Sequence, residues 1–249
     1  MPDAVLTEVH HRLLVITLNR PEAGNAINAE MVEGLLEAMD RLERDDRLAV
    51  AVLTGAGHRF SSGVEPRCLR SGTMSTCFTE FVEYESTKPL VAAVEGFAVA
   101  AGLEIVLRCD LVVAARGAKL GVPEVTTGLF AGAGGLSRLP HRLPYGVAME
   151  MALTGEPITA EQAHQYGFVS RMTDPGGALG AAIELAGRIA SNDSIAVTAS
   201  KRRVADSQGL TAAEFWELQR INVAASVSRN AKGRPNASGE ERPPAWTGR

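Results

Sequence analysis

Glu95-Gly96-Phe97-Ala98-Val99-Ala100-Ala101-Gly102-Leu103-Glu104 follows directly on the apolar run Leu90–Val94. That run has the length of a buried strand, and residues 100–108 after it read as a helix. A strand that feeds a helix through small residues leaves free backbone N–H groups at the positive end of the helix dipole. This is the geometry of an oxyanion hole. Glu104 falls in the first turns of the helix, ahead of Ile105, Val106 and Leu107. A lone carboxylate in an apolar segment is costly unless it is paired or functional. It is therefore either half of a structural salt bridge or an acid–base group, and burial would raise its pKa toward the range such chemistry needs.

Outward from this stretch the same alternation recurs. Residues 111–115 read as the strand that closes the strand–helix–strand round. Upstream, Leu13–Leu18 and residues 48–53 are apolar runs of strand length. Between them Asn28 can cap a helix on which Val32, Leu35, Leu36, Met39 and Leu42 share one face. Strand–helix–strand units of this size predict parallel pairs joined by crossovers. Downstream of the glycine-broken segment that begins at Pro123, helices are predicted over residues 145–153, 160–166, 178–191, 195–207 and 211–226. The tail from Arg229 is polar and carries three prolines, so it is expected to be extended. No repeat of fixed period is present.

Composition excludes several classes. The 249 residues carry 25 Lys+Arg against 29 Asp+Glu, a net charge of −4, with 45% hydrophobic and 5% aromatic residues. That is too apolar for a disordered chain, and no basic footprint for nucleic acid is expected. Cys68, Cys77 and Cys109 form neither a disulfide framework nor a metal-type pair, which fits reduced thiols in a cytoplasmic protein. The N-terminus lacks the charge pattern of a signal peptide. The most apolar window, residues 89–107, contains Glu95 and Glu104, and a charge at a bilayer centre costs about 2.5–3.5 kcal/mol on the insertion scale. No membrane span is expected.

Two further segments carry chemistry. Arg59-Phe60-Ser61-Ser62-Gly63-Val64-Glu65 follows a strand, and its glycine can turn a backbone N–H toward a ligand, although an ordinary strand-to-loop turn has the same composition. Gly121-Val122-Pro123-Glu124 precedes a run holding Gly128, Gly132, Gly134 and Gly135. The run lacks the Lys-Ser/Thr of a P-loop and the spacing of a dinucleotide fold. Glu124 alone is readable as a helix-cap acid. Glu104 and Glu124 together, 20 residues apart and each beside glycine-rich backbone, suit a paired acid–base site. No G-x-S-x-G elbow and no metal-spaced cluster accompanies them, and the five histidines lie outside the glycine segments.

The ordered set Asn19-Arg20-Pro21…Asn25-Ala26-Ile27-Asn28, Phe60-Ser61-Ser62-Gly63, Glu95-Gly96-Phe97-Ala98…Gly102-Leu103-Glu104…Cys109-Asp110, Pro123-Glu124…Gly132-Ala133-Gly134-Gly135…Arg138-Leu139 resembles the crotonase (enoyl-CoA hydratase/isomerase) superfamily. Leu153-Thr154-Gly155-Glu156 and Gly167-Phe168-Val169 continue the resemblance over nearly the whole chain. It implies an α/β fold, a spiral of ββα units over residues 1–194, with a C-terminal helical trimerisation region and tail over 195–249. It implies an acyl-CoA thioester as substrate, no cofactor beyond the CoA that the substrate brings, no metal, no nucleic-acid or membrane partner, and a homotrimer or homohexamer.

The family's two oxyanion N–H donors fall on Val64 and Ala101. Its acyl-CoA-lining positions fall on Ala26, Ser62, Gly63, Val64, Glu65, Pro66, Arg67 and Gly132, and the N–H of Gly132 is placed to hold Glu124. Ala101 departs from the usual glycine, which matters if that residue needs φ > 0. Pro66 has no N–H to donate, and Glu65 stands where Asp is common. Both glutamates of the hydratases are present, as Glu104 and Glu124. The implied reaction is addition of water to a 2-enoyl-CoA, or its reverse. The alternatives are isomerisation, dehydration of a carnitinyl-type thioester, or acyl-CoA binding without turnover; nucleotide binding by the glycine run is a further reading. Eight of the 25 glycines lie within residues 96–135, around the two glutamates.

Overall fold

The structure, a computed structural model, describes residues 3–220 except 72–74 and 208. The chain opens with a hairpin of β1 (Val5–His10) and β2 (Leu13–Leu18), and α1 (Ala29–Arg44) carries it over to β3 (Val50–Gly55). The Asn28 side chain accepts the Met31 N–H at 2.9 Å and starts α1. Met31, Val32, Leu35, Ala38, Met39 and Leu42 form its buried face, with Leu36 half-buried at the edge. β3 lies two residues later than the apolar run at 48–53, in parallel register with β2 from Leu13↔Val50 to Leu18↔Gly55.

Next come α2 (Pro66–Ser71), α3 (Ser75–Glu83), β4 (Leu90–Val94), β5 (Phe97–Val99) and α4 (Ala101–Arg108). They are followed by β6 (Leu111–Ala115), β7 (Lys119–Gly121), a 3-10 turn (Pro123–Thr127), α5 (Gly135–Arg142) and α6 (Tyr145–Thr154). β8 (Ile158–Thr159), α7 (Ala160–Gln165), β9 (Arg171–Thr173), α8 (Ala178–Ala190) and α9 (Ser194–Asp206) complete the named elements, and residues 212–220 are also helical. The rest of the helix expected over 211–226, and the polar tail, lie outside the described residues.

The main sheet runs β1-β2-β3-β4-β6-β9, parallel throughout except for the first hairpin. Because side chains alternate along a strand, Leu14, Ile16 and Leu18 enter the core beneath α1, while Leu13 and Val15 join Val50, Val52, Val91 and Val113 on the other face. That second face is covered by α8, whose Ala178, Ala182, Ala186 and Ala190 form one buried stripe at helical spacing. A second sheet, β5-β7-β8, stands at the C-terminal ends of the main strands. Two strands and a helix recur as β1–β2–α1, β4–β5–α4 and β6–β7–α5. This ββα unit recurs in space without any sequence period.

Candidate active site

Glu104 sits in the first turn of α4 and is 3% exposed. Its Oε1 accepts two backbone N–H bonds, from Ala133 at 2.8 Å and Gly135 at 2.9 Å. Burial pushes its pKa up, and the N–H groups of Gly135 and Ala133 and the charge of Arg138 oppose that rise. Glu124 lies in the 3-10 turn that leaves β7 and is half-buried. Its Oε2 is buried and has no hydrogen-bond partner among the described residues. Burial raises the Glu124 pKa, and the negative charge of Glu104 raises it further. The two carboxyls thus share one electrostatic environment. Among the described residues no bond runs from the Gly132 N–H to Glu124: the first N–H groups of the run, those of Gly128 and Leu129, donate to the Glu124 backbone carbonyl, and those of Ala133 and Gly135 hold the Glu104 carboxylate. The run curls back over α4, so the earlier carboxylate is the one it meets.

The two expected oxyanion donors come together at the joint between the sheets. Val64 is bridged to Ile27 through Ile27 N–H to Gly63 O at 2.8 Å and Glu65 N–H to Ile27 O at 2.9 Å. Those bonds use the neighbours of Val64 and leave its own N–H free. Ala101 is the first residue of α4, where an N–H has no acceptor within the helix. Neither N–H has a protein acceptor among the described residues. A Cβ on Gly63 would lie 2.7 Å from the Ala100 Cβ and 3.4 Å from the Ala101 nitrogen, and Gly63 itself has φ +95°. Only glycine lets these two segments approach so closely. The positive φ at this turn falls on Ala100, with φ 52° and ψ −131°, and not on Ala101. Ala101 keeps ordinary helical backbone, so its departure from glycine leaves the N–H in place.

A buried brace fixes the Val64 side. Asn25, fully buried with φ 53°, donates through Nδ2 to Ala56 O at 3.0 Å and Arg59 O at 2.9 Å, and accepts the Arg20 N–H at 2.9 Å. Ser61 Oγ donates to Asn25 O at 2.8 Å and accepts the Gly63 N–H at 3.2 Å. Arg20 donates to Ala26 O at 2.6 Å and pairs with Glu65 at 3.0 Å, so the Glu65 carboxylate serves this brace. Ala26 and Gly63 are buried, whereas Ser62, Pro66, Arg67 and Gly132 are exposed. The other glutamate of the opening stretch, Glu95, accepts the N–H groups of Gly176 at 3.1 Å and Ala178 at 3.0 Å, holding the start of α8. The N–H pair of Ala133 and Gly135 was not singled out from sequence, although the glycine density there was its signal.

Beside the 3-10 turn, a cavity of about 420 Å³ is lined by Val122, Val125, Leu129, Phe130, Leu136 and Met149 among other apolar side chains of the turn, α5 and α6. Among the described residues no cluster of three His, Cys, Asp or Glu is placed to hold a metal ion, and no helix is long and apolar enough to cross a membrane.

Comparison with known proteins gives a consistent result. The family model described as enoyl-CoA hydratase/isomerase matches residues 8–249. Enoyl-CoA hydratase EchA19 of Mycobacterium tuberculosis is 34% identical, the match covering 100% of this chain and 97% of the relative. The 2,3-dehydroadipyl-CoA hydratase of Escherichia coli is also 34% identical, covering 96% of both. The crystal structure of enoyl-CoA hydratase EchA1 from Mycobacterium marinum superposes with a TM-score of 0.90 at 45% identity, covering 99% of this chain and 100% of that one.

Proposed function

The chain belongs to the enoyl-CoA hydratase/isomerase family, the crotonase superfamily, and on that premise we propose that it is an enoyl-CoA hydratase, adding water across the 2,3 double bond of an enoyl-CoA thioester or removing it in reverse. The observation that carries the reading is the pair of shielded carboxyls, one fixed by two N–H groups and the other with a buried oxygen free for water. The thioester oxygen is seated between the N–H groups of Val64 and Ala101. Charge that develops there as the enolate forms meets preorganised dipoles that need no rearrangement. Glu104 orients one water and takes its proton as the oxygen attacks the β-carbon. Glu124 delivers its proton to the α-carbon, and the proton that Glu104 has taken passes to Glu124, so that over a turnover the water is consumed as hydroxyl and hydrogen and both carboxyls are restored. Burial raises both pKa values, and the titration belongs to the pair.

The CoA end is assigned to the surface around Ala26, Ser62, Gly63, Val64, Pro66, Arg67 and Gly132, with Glu65 supporting it through Arg20. The acyl end is assigned to the apolar cavity beyond the turn. No cofactor is assigned beyond the CoA of the substrate. The protein is assigned to the cytoplasm, with residues 1–194 as the catalytic core and 195–249 as the region that joins copies into a homotrimer or homohexamer. Val204 and Trp216 of that region, exposed by 68% and 59%, support burial against a further copy.

A panel of enoyl-CoA thioesters starting with crotonyl-CoA tests the activity. The enoyl-thioester absorbance is expected to fall and the product to gain the mass of one water. A product of unchanged mass would replace hydration with isomerisation. Glu104→Gln and Glu124→Gln are each expected to slow turnover by about 10²–10⁴-fold, and unchanged turnover in either removes that residue's role.

A further inference from the structure

One guanidinium stands behind the carboxylate that the glycine run holds. Arg138, in the first turns of α5, donates from Nη1 to Ala133 O at 3.1 Å and from Nη2 to Val82 O at 2.8 Å. Val82 lies in the last turn of α3, where carbonyls lack helical partners and a cation is favourable. Gly134 makes room for the crossing: a Cβ there would collide with Arg138 Nη1 and lie 3.0 Å from Cζ, and its φ is +88°. The backbone of Ala133 is therefore held on both sides, its N–H by Glu104 Oε1 and its carbonyl by Arg138.

We propose that Arg138 is a positioning residue for Glu104: it anchors the Ala133–Gly135 turn to α3 and so fixes the N–H pair that aims the Glu104 carboxylate at the water. The bonding chain runs from α3 through the guanidinium and the turn to the carboxylate, without an ion pair between Arg138 and Glu104 among the described residues. Its charge is nonetheless felt by Glu104, as is the opposite effect of burial. Glu104 in turn acts on Glu124 of the 3-10 turn, Glu104 and Glu83 of α3 act on Arg138, and Arg138 acts on Arg108 of α4. A planar fork that reaches two carbonyls at once is a task for arginine and not for lysine.

The inference rests on the hydratase reading of Glu104, and its test has one arm that needs no turnover. Arg138→Met removes fork and charge; Arg138→Lys keeps the charge alone. With an enoyl-CoA substrate, Arg138→Met is expected to lower kcat by about 10- to 100-fold with little change in KM, and to move the acidic limb of the kcat/KM profile to higher pH. Arg138→Lys is expected to restore the limb but not the full kcat. In the ligand-free chain, infrared difference spectra against Glu104→Gln follow the Glu104 carboxyl directly. Its titration is expected at higher pH in Arg138→Met than in wild type. An unmoved titration overturns the proposal, as does a loss of kcat with an unmoved limb. If Arg138→Met does not fold, Arg138→Lys decides: a wild-type kcat overturns the proposal, and a lowered kcat at an unmoved limb supports it. Absence of hydration in wild type with a shifted titration would defeat the hydratase reading and leave the positioning role standing.

Discussion

Ala100, just before α4, holds a strained backbone at φ 52° and ψ −131°. Such a conformation costs a residue with a Cβ about 1–3 kcal/mol, and it persists here because both sides are pinned. Its N–H donates to Gly121 O at 2.9 Å, and its carbonyl accepts from Leu103 at 2.9 Å. The strain turns the chain from β5 into α4 so that the Ala101 N–H faces the Val64 segment. Ala100→Gly is therefore expected to stabilise the fold by about 1 kcal/mol, after the entropy that glycine adds to the unfolded chain. Thermal unfolding should show Tm rising by about 2–4 °C, and a fall would mean that the turn is not strained. Glu104 and Glu124 were legible as residues because carboxylates in apolar, glycine-rich sequence are conspicuous. What was not legible is which backbone each one meets. Ala133 and Gly135 reach Glu104 only because the glycine run folds back 30 residues later over α4, a path no local pattern encodes.

At the scale of elements, long periodic segments were readable and short ones were not. α1 announced itself by the Asn28 cap and its apolar face, and β2, β4 and β6 by unbroken apolar runs. β5, β7, β8 and β9 span two or three residues each and have no period to display. β1 hides because it is an edge strand whose Leu6 and Val9 remain exposed. α5 hides behind Gly135 at its start and Pro140 within it, residues that usually break helices. α8 was read as a helix, but the role of its alanines appears only against the sheet. Ala178, Ala182, Ala186 and Ala190 let the helix lie close on valines of four strands, which leaves no room for a larger side chain. Ala182→Leu is expected to destabilise by about 1–3 kcal/mol through overpacking. Circular dichroism melts would register this as a lower Tm, and an unchanged Tm would show slack under the helix.

For the molecule as a whole, the site costs stability. Both glutamates have folded-state pKa values above their unfolded ones. A carboxyl raised by folding destabilises the native state when ionised, and that penalty disappears as pH falls through the folded pKa. Glu104→Gln, which keeps an oxygen for the Ala133 and Gly135 N–H groups, is thus expected to raise Tm at pH 7. The gain should shrink as the medium is acidified toward the folded pKa of Glu104. Melting curves from pH 7 to pH 5 would check the sign, and a lower Tm at pH 7 would refute it. The cover that α8 lays on the main sheet also sets an order of events at the ribosome. Leu13, Val15, Val50 and Val52 are synthesised long before Ala182 and Ala186, which bury them. At ordinary elongation rates that interval is on the order of 10 s. Throughout it the nascent chain carries a bare aliphatic face, the surface a holding chaperone would shield until the eighth helix emerges.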